Sequence, residues 1–523
     1  MGSGTGIGGG RVSVPTPVPL PAGFSIQCEP DLRVLSRGRV LLGGSPLRLL
    51  TLSEAGAAVF DALRAGVTVA DAGVGAGTLA RRLVSAGHAD PMPPDAGTPG
   101  TPGTPDTDDV TLVIPVRDRA WALPRLLAAV AGTCREIIVV DDCSTDATAE
   151  VARLAGVQVI RHSTSLGPGA ARSTGARAAG TPLVAFLDSD VVPGAGWLSR
   201  LLPHLADPMV ALAAPRVASA PGRNLRSRYE MSRSPLDLGP RPGPVRAGSR
   251  ISYVPSAALL IRRELVDFDP AMRYGEDVDL AWRLAAAGWS VRYEPAAVVI
   301  HRPRTSWAGW AVQRFGYGSS AAPLALRHPE PLRPVRGAAI GVAAGVIAAV
   351  GSARLVAGAA GVGGCGAVVS AVRLRRRFTE LRTPVPGAGL LASVLVVQGR
   401  RHVMWAAADT ARRVWLPLSA FALCRPARRP GRRMLVAAAV LPTAWDWWRD
   451  RPDVGLVPYV VLRVADDAAY CAGVWWGCLR ARTTLPLRPP VTELAPSRTR
   501  RVGLVRLGSR AGMLGRYDHR GNS

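Results

Sequence analysis

Lysine is absent from all 523 residues, so each of the 64 basic residues is an arginine, set against 38 acidic ones for a formal charge of +26. Two sources stay open for that excess: a general replacement of Lys by Arg, or attraction to anionic lipid or phosphate. Helix-turn-helix, zinc-finger and RNA-recognition patterns are missing, and arginine is densest beside apolar segments, so nucleic acid is not an expected partner. The seven cysteines are scattered without a Cys-x-x-Cys, which argues against a disulfide framework or structural zinc and fits a reducing compartment. The N-terminus has no basic start followed by an apolar core. It does not read as a signal peptide, and the chemistry is expected on the cytoplasmic side.

What is present falls into blocks. Hydrophobic residues make up 48%, enough for a large core or a membrane-embedded part. Residues 1–24 are Gly- and Pro-rich and expected to be disordered. Residues 25–90 read as a small winged-helix-like unit. Leu32–Leu35 and Arg39–Leu42 form strands about the Ser36-Arg37-Gly38 turn, and Leu47–Leu50 continues the meander. Ser53 caps a helix through Ala57, Phe60 and Leu63, and Thr78 starts a second one. Residues 91–109 are a Pro/Thr/Gly linker. Residues 110–325 alternate strands and helices, the rhythm of an α/β fold with a doubly wound, mostly parallel sheet. From 326 to 485 the chain is apolar and helical. The runs 337–353 and 355–372, with basic flanks, predict either two spans whose ends face the cytoplasm or a Gly/Ala-rich hairpin buried against the protein. Later runs carry Arg463, Asp466 and Asp467 and end near Trp445, Trp447, Trp448, Trp475 and Trp476, which reads as interfacial or partly embedded. Residues 486–523 are a basic tail, expected to be disordered.

The chemistry-bearing residues follow predicted strands, where an open α/β sheet binds ligand. Pro115 and Arg117 close the first strand with a rigid, cationic loop suited to a nucleotide, or with a merely solvated Arg pair. Asp141 and Asp142 follow four apolar residues; a carboxylate there needs a partner, such as a base imide or ribose hydroxyl. Ser144 or Asp146 can also serve as helix N-caps. Gly167–Gly169 and Arg172 open a helix toward an anion, or simply form a Gly-rich helix entry. Asp188-Ser189-Asp190 at a strand end suits a divalent cation, Mn²⁺ or Mg²⁺, held against a diphosphate. Glu276 and Asp277 precede a helix. Asp277 is the expected base for an acceptor hydroxyl, with Glu276 binding acceptor, and N-capping is the plainer role. His301 after an apolar strand is either structural or a third metal ligand. Together these residues describe an enzyme using a nucleotide-sugar donor.

Val113–Arg117, Val140–Asp146, Leu187–Asp190 and Glu276–Arg283, in this order, resemble the family 2 glycosyltransferases with the GT-A fold. The resemblance covers 110–305. It implies UDP-sugar binding near Asp141, a metal at Asp190 with Asp188 near the donor sugar, a base at Asp277, and a metal-binding His at His301. The processive Gln-x-x-Arg-Trp is missing, since Gln313-Arg314-Phe315 lacks that spacing, so a long-chain polysaccharide synthase is not implied. A PqqD-like peptide-binding module on such a domain, with Arg314–Gly318 and an apolar C-terminal region, is similar to the glycosyltransferases of the mycofactocin system. That implies glucose transfer from UDP-glucose to a peptide-derived redox cofactor or its precursor. The precursor peptide, other maturation enzymes and an anionic membrane are the further partners implied, and the cytoplasmic membrane face the location. Two other readings stay open: a membrane glycosyltransferase for a cell-envelope glycan or lipid-linked sugar, and a non-catalytic scaffold that holds a peptide.

Overall fold

The computed structural model describes residues 14–94, 104–329, 353–381, 383–424 and 429–488. The N-terminal unit holds β1 (Ser25–Cys28), β2 (Arg33–Leu35), β3 (Val40–Gly43), β4 (Arg48–Thr51), two helices (Glu54–Arg64 and Ala76–Ala86) and β5 (Ala89–Met92). The order β2-β3-β4 is the expected meander, and Ser53 caps its helix by accepting from the Gly56 amide at 3.1 Å. The second helix starts earlier than Thr78, after Gly75 in the left-handed conformation that glycine adopts without Cβ strain. β1 and β5 were not legible in the sequence; β5 lies partly within the expected linker and pairs antiparallel with β1. The expected disorder over 1–24 is corrected in part, because Leu20 and Phe24 are buried in the unit's core. Residues 1–13 and most of the tail beyond 486 lie outside the described residues.

The catalytic-domain sheet holds β6 (Val110–Val116), β7 (Glu136–Asp141), β8 (Gln158–Arg161), β9 (Leu183–Leu187), β10 (Val191–Pro193), β11 (Val210–Ser219), β12 (Gly243–Pro244), β13 (Ala258–Arg262) and β14 (Ser290–His301). Its order is β10-β14-β11-β13-β9-β6-β7-β8, with β12 on β14. β6, β7, β8 and β9 are mutually parallel, and β6 is buried at all seven residues, as a central strand covered on both faces must be. β13 runs antiparallel to both β9 and β11, and β10 and β12 antiparallel to β14, so the sheet is mixed, while β6, β7, β8, β9, β11 and β14 share one direction as expected. Apolar clusters fill both faces, one against the helices Leu123–Val130 and Trp197–Leu201, the other against Pro168–Ala178 and Glu276–Ala287.

The linker does not leave the N-terminal unit loose. Arg81 makes a bidentate pair with Asp207 at 2.7 and 2.6 Å, and Arg292 is buried against Asp90. On the other side, Val40 and Leu42 of β3 pack on Phe378, Val385 and Leu391.

In the C-terminal region the helices are Ala353–Thr379, Ala388–Arg413, Leu416–Cys424, Arg429–Asp450 and Leu456–Arg480. Among the described residues no helix is long and apolar enough to cross a membrane. The expected pair of spans is therefore not found there, and most of its first run, 337–353, lies outside the described residues. The helix Leu456–Arg480 lies against Trp307–Ser319 with backbones touching: a Cβ on Gly473 would sit 2.0 Å from the Phe315 carbonyl oxygen. Arg463, Asp466 and Asp467, expected at an interface, are buried instead. Arg314 stands between Glu230 and Asp466, while Arg412, Arg413 and Arg463 surround Asp467 at 3.3–3.6 Å.

Candidate active site

Parallel register brings the ends of β6 and β7 level, Val116 opposite Asp141. Pro115 remains inside β6, buried and opposite Val140, rather than in the loop. Just beyond, Asp118 and Cys143 take left-handed φ values of 51° and 63°, turning both chains sharply at a modest steric cost. The two loops are stitched together. The Asp118 amide donates to Ser144 Oγ at 2.9 Å, the Thr145 amide to Asp118 Oδ1 at 2.8 Å, and the Ala120 amide to Asp146 Oδ2 at 3.1 Å. Ser144 and Asp146 are thus loop ties, and Asp146 Oδ1 also accepts at 3.0 Å from the amide of Thr148, the first residue of the next helix.

Asp141 is fully buried, accepts from the Ser144 amide at 2.9 Å and lies 3.3 Å from Arg161 Nε. Asp142 accepts from the Leu166 and Gly167 amides, from Ser165 Oγ, and pairs with His162 Nδ1, all within 2.8–2.9 Å. Burial alone would raise its pKa, but these bonds outweigh that and hold the carboxyl below its ordinary range. With both oxygens so engaged, Asp142 organises the 162–167 loop, and the expectation of direct donor contact is corrected. Arg117 donates to Ser165 Oγ at 2.7 Å from the same loop while its side chain stays half-exposed.

The other half of the site lies at the ends of β9 and β14. Asp188 follows β9, and its amide donates to the Ala257 carbonyl at 2.9 Å. β10 pairs with β14 so that Val191 faces His301, which sets Asp190 Oδ2 3.7 Å from His301 Nε2 and 3.8 Å from Arg304. Arg172, from the helix Pro168–Ala178, is buried and bridges two carboxylates: Asp188 Oδ1 at 2.6 Å and Glu276 Oε1 at 3.1 Å. It is therefore a strut within the protein rather than a free cation for the diphosphate. Burial raises Asp188, with Arg172 opposing. Burial and then neighbouring Asp277 push Glu276 up to about 7, again against Arg172.

Gly275, at φ 79°, starts the helix Glu276–Ala287 where a Cβ would strike Ser320 at 2.9 Å. This turn sends Glu276 inward and leaves Asp277 partly exposed. Asp277 accepts from the Ser256 amide at 3.0 Å and from the Val278 amide at 2.8 Å. Glu276, nearly inaccessible and tied to Arg172, is not placed to bind acceptor directly, and that expectation is corrected.

The expected metal trio Asp188, Asp190 and His301 does not converge; Asp188 pairs with Arg172 instead. Among the described residues no three His, Cys, Asp or Glu side chains are arranged to hold a metal. Asp190 and His301 remain as a pair. Hard divalent cations often take only one or two protein ligands and complete their shell with water and phosphate, so the pair suits such an ion and the trio does not. Ser256, Arg161 and Arg304 were not singled out from the sequence. Arg304 alone carried a signal, three residues after His301; Ser256 is found only through the tertiary contact.

The strand ends of a buried sheet thus gather carboxylates, the Arg172 strut and Asp277 at a helix start. The family model for Glycosyl transferase family 2 matches residues 111–267, and the chain belongs to the family 2 glycosyltransferases. It is 39% identical over 491 residues to the pre-mycofactocin glycosyltransferase of Mycobacterium tuberculosis, covering 90% of this chain and 98% of that one. It is thus a glycosyltransferase of the mycofactocin-associated type. A second relative, the succinoglycan biosynthesis protein ExoU of Rhizobium meliloti, is 31% identical over 211 residues, 37% of this chain and 59% of its own. Among solved structures, the mannosyltransferase PcManGT of Pyrobaculum calidifontis, in complex with GDP-Man and Mn²⁺, matches with a TM-score of 0.35 at 16% identity, over 73% of this chain and 92% of its own.

Proposed function

We propose that this enzyme moves glucose from UDP-glucose, with inversion, onto the peptide-derived mycofactocin precursor at the cytoplasmic face of the membrane. The observation that carries the reading is one connected row, Asp190–Asp188–Arg172–Glu276–Asp277, linked through the Arg172 strut and the adjacency of Glu276 and Asp277. The uridine would lie over the stitched β6 and β7 loops, between Arg117 and the buried Asp141. Asp190 and His301 would hold the divalent cation, Mn²⁺ or Mg²⁺, whose chemistry is to neutralise the departing diphosphate. Glu276 holds Arg172 in place, and Arg172 in turn fixes Asp188 beside the donor sugar. Asp277, aimed by the Ser256 and Val278 amides, takes the acceptor hydroxyl proton as the anomeric carbon is attacked. Likeness to the mycobacterial relative supports the acceptor, because it extends through the N-terminal unit and the C-terminal helices as well as the catalytic domain. The PqqD-like unit would hold the precursor peptide or a maturation enzyme.

The test uses the purified full chain with UDP-glucose, Mn²⁺ or Mg²⁺, and the precursor, read by mass. Added hexose that disappears with EDTA, with the β-linkage seen by NMR, is the expected result. Donor turnover without labelled precursor would overturn the acceptor and favour an envelope glycan or lipid-linked sugar.

A further inference from the structure

The C-terminal helices bury part of their charge and leave large apolar side chains exposed. Leu456–Arg480 turns Arg463, Asp466 and Asp467 inward, 1–6% exposed, while Val457, Val461 and Val464 face outward at 73, 61 and 43%. A surface helix in water normally shows the opposite arrangement. Exposed apolar residues continue beside it. On Ala388–Arg413, Val397, Arg401 and Met404 share one face at helical spacing, with Val397 and Met404 67 and 73% exposed. Arg401 reaches across to stack on Trp445 at 5.9 Å, on the helix Arg429–Asp450. There Leu441, Trp445 and Trp448 again share a face, 61, 41 and 53% exposed, and the two Trp rings lie 5.1 Å apart. Arg451 stacks on Trp448 at 5.7 Å at the patch's edge. Contiguous exposed apolar area of this kind marks an interaction surface.

We propose that the patch formed by Val397, Arg401, Met404, Leu441, Trp445 and Trp448 docks the enzyme in the plane of an anionic lipid bilayer, without crossing it. Charge decides for lipid over a protein partner. Tryptophans with stacked arginines at the rim match the boundary between acyl chains and anionic headgroups. Exposed Arg373, Arg375, Arg376 and Arg377 end the adjoining helix Ala353–Thr379, and Arg375 lies against Gly389, where the Ala388–Arg413 helix begins. The buried ion network welds this region to the catalytic domain, so docking would fix the orientation of the active site over the surface. The proposal deepens the membrane-face reading and is independent of the transfer chemistry.

The test is flotation of the full chain with vesicles of phosphatidylcholine alone and with added phosphatidylglycerol. The expected result is binding to the anionic vesicles, weakened about tenfold or more by Arg401→Gln with Arg451→Gln and by added salt. Met404→Glu with Leu441→Glu should abolish binding. Both variants should keep the wild-type circular dichroism and the wild-type rate of UDP-glucose turnover in vesicle-free buffer. That turnover reads the transferase assignment separately from docking. Equal binding to neutral vesicles, binding unchanged in both variants, or no vesicle binding by a wild-type dimer that Met404→Glu with Leu441→Glu splits would each overturn the proposal.

Discussion

The catalytic sheet and the C-terminal helices solve the placement of charge in opposite ways. In the sheet, two apolar clusters fill the interior and carboxylates collect where strands end. In the helix Leu456–Arg480, Arg463, Asp466 and Asp467 are buried beside Tyr459, Leu462 and Val474, Asp466 meeting Arg314 of Trp307–Ser319, while Val457, Val461 and Val464 face out. The difference teaches that a charge count along a segment does not locate it. Charges inside an apolar run can bind the segment to its neighbour instead of raising it to an interface. A buried, mutually paired set contributes little net stability over an apolar one, yet breaking it strands a charge.

This contrast can be broken in order of effect. Asp190→Ala removes a carboxylate at the catalytic end. It should lower transfer by about a thousandfold, equivalent to several kcal/mol, while chemical denaturation stays close to wild type. Asp466→Ala, within the buried charged set, should do the reverse: it leaves Arg314 under-paired and costs about 3–5 kcal/mol in urea unfolding. Gly473→Ala pushes apart the two helices that this network joins and should cost about 1–3 kcal/mol in the same assay. Val461→Asp, on the outer face of the same helix, should change stability by no more than about 0.5 kcal/mol.

The smallest effect is on the pH profile. Glu276 has its folded pKa raised to about 7 by burial and by Asp277. The stability linked to its proton is complete below the ordinary carboxylate range and is lost as pH rises through about 7. Asp142, held low, behaves oppositely: its contribution is complete at neutral pH and is lost only as pH falls through its lowered value. Thermal unfolding across pH should show Glu276→Gln flattening the neutral side and Asp142→Asn flattening the acid side.

The strand-end carboxylates were legible because each follows an apolar run that can only be a buried strand, as at Val139-Val140-Asp141 and Phe186-Leu187-Asp188. Their partners were not, since Arg172 to Glu276 and Ser256 to Asp277 are contacts between distant segments with no local pattern. The antiparallel β13 was missed for a similar reason. A fully apolar strand reads the same in either direction, and its direction is set by which strands it enters between. The helix Leu456–Arg480 misled because its charges were taken to hold it at an interface, whereas they are buried and paired. Its glycines Gly473 and Gly477 were the better guide, marking where another backbone approaches.

The central claim is that Asp277 takes the acceptor proton while Glu276 only positions Arg172. Its most direct test is the transfer rate of Asp277→Asn beside Glu276→Gln, at saturating UDP-glucose and precursor, with UDP affinity measured alongside. The account predicts a loss of about 10²–10⁴-fold for Asp277→Asn with UDP binding intact, and a smaller loss for Glu276→Gln. A rate for Asp277→Asn within a few-fold of wild type, or the larger loss at Glu276, would contradict it.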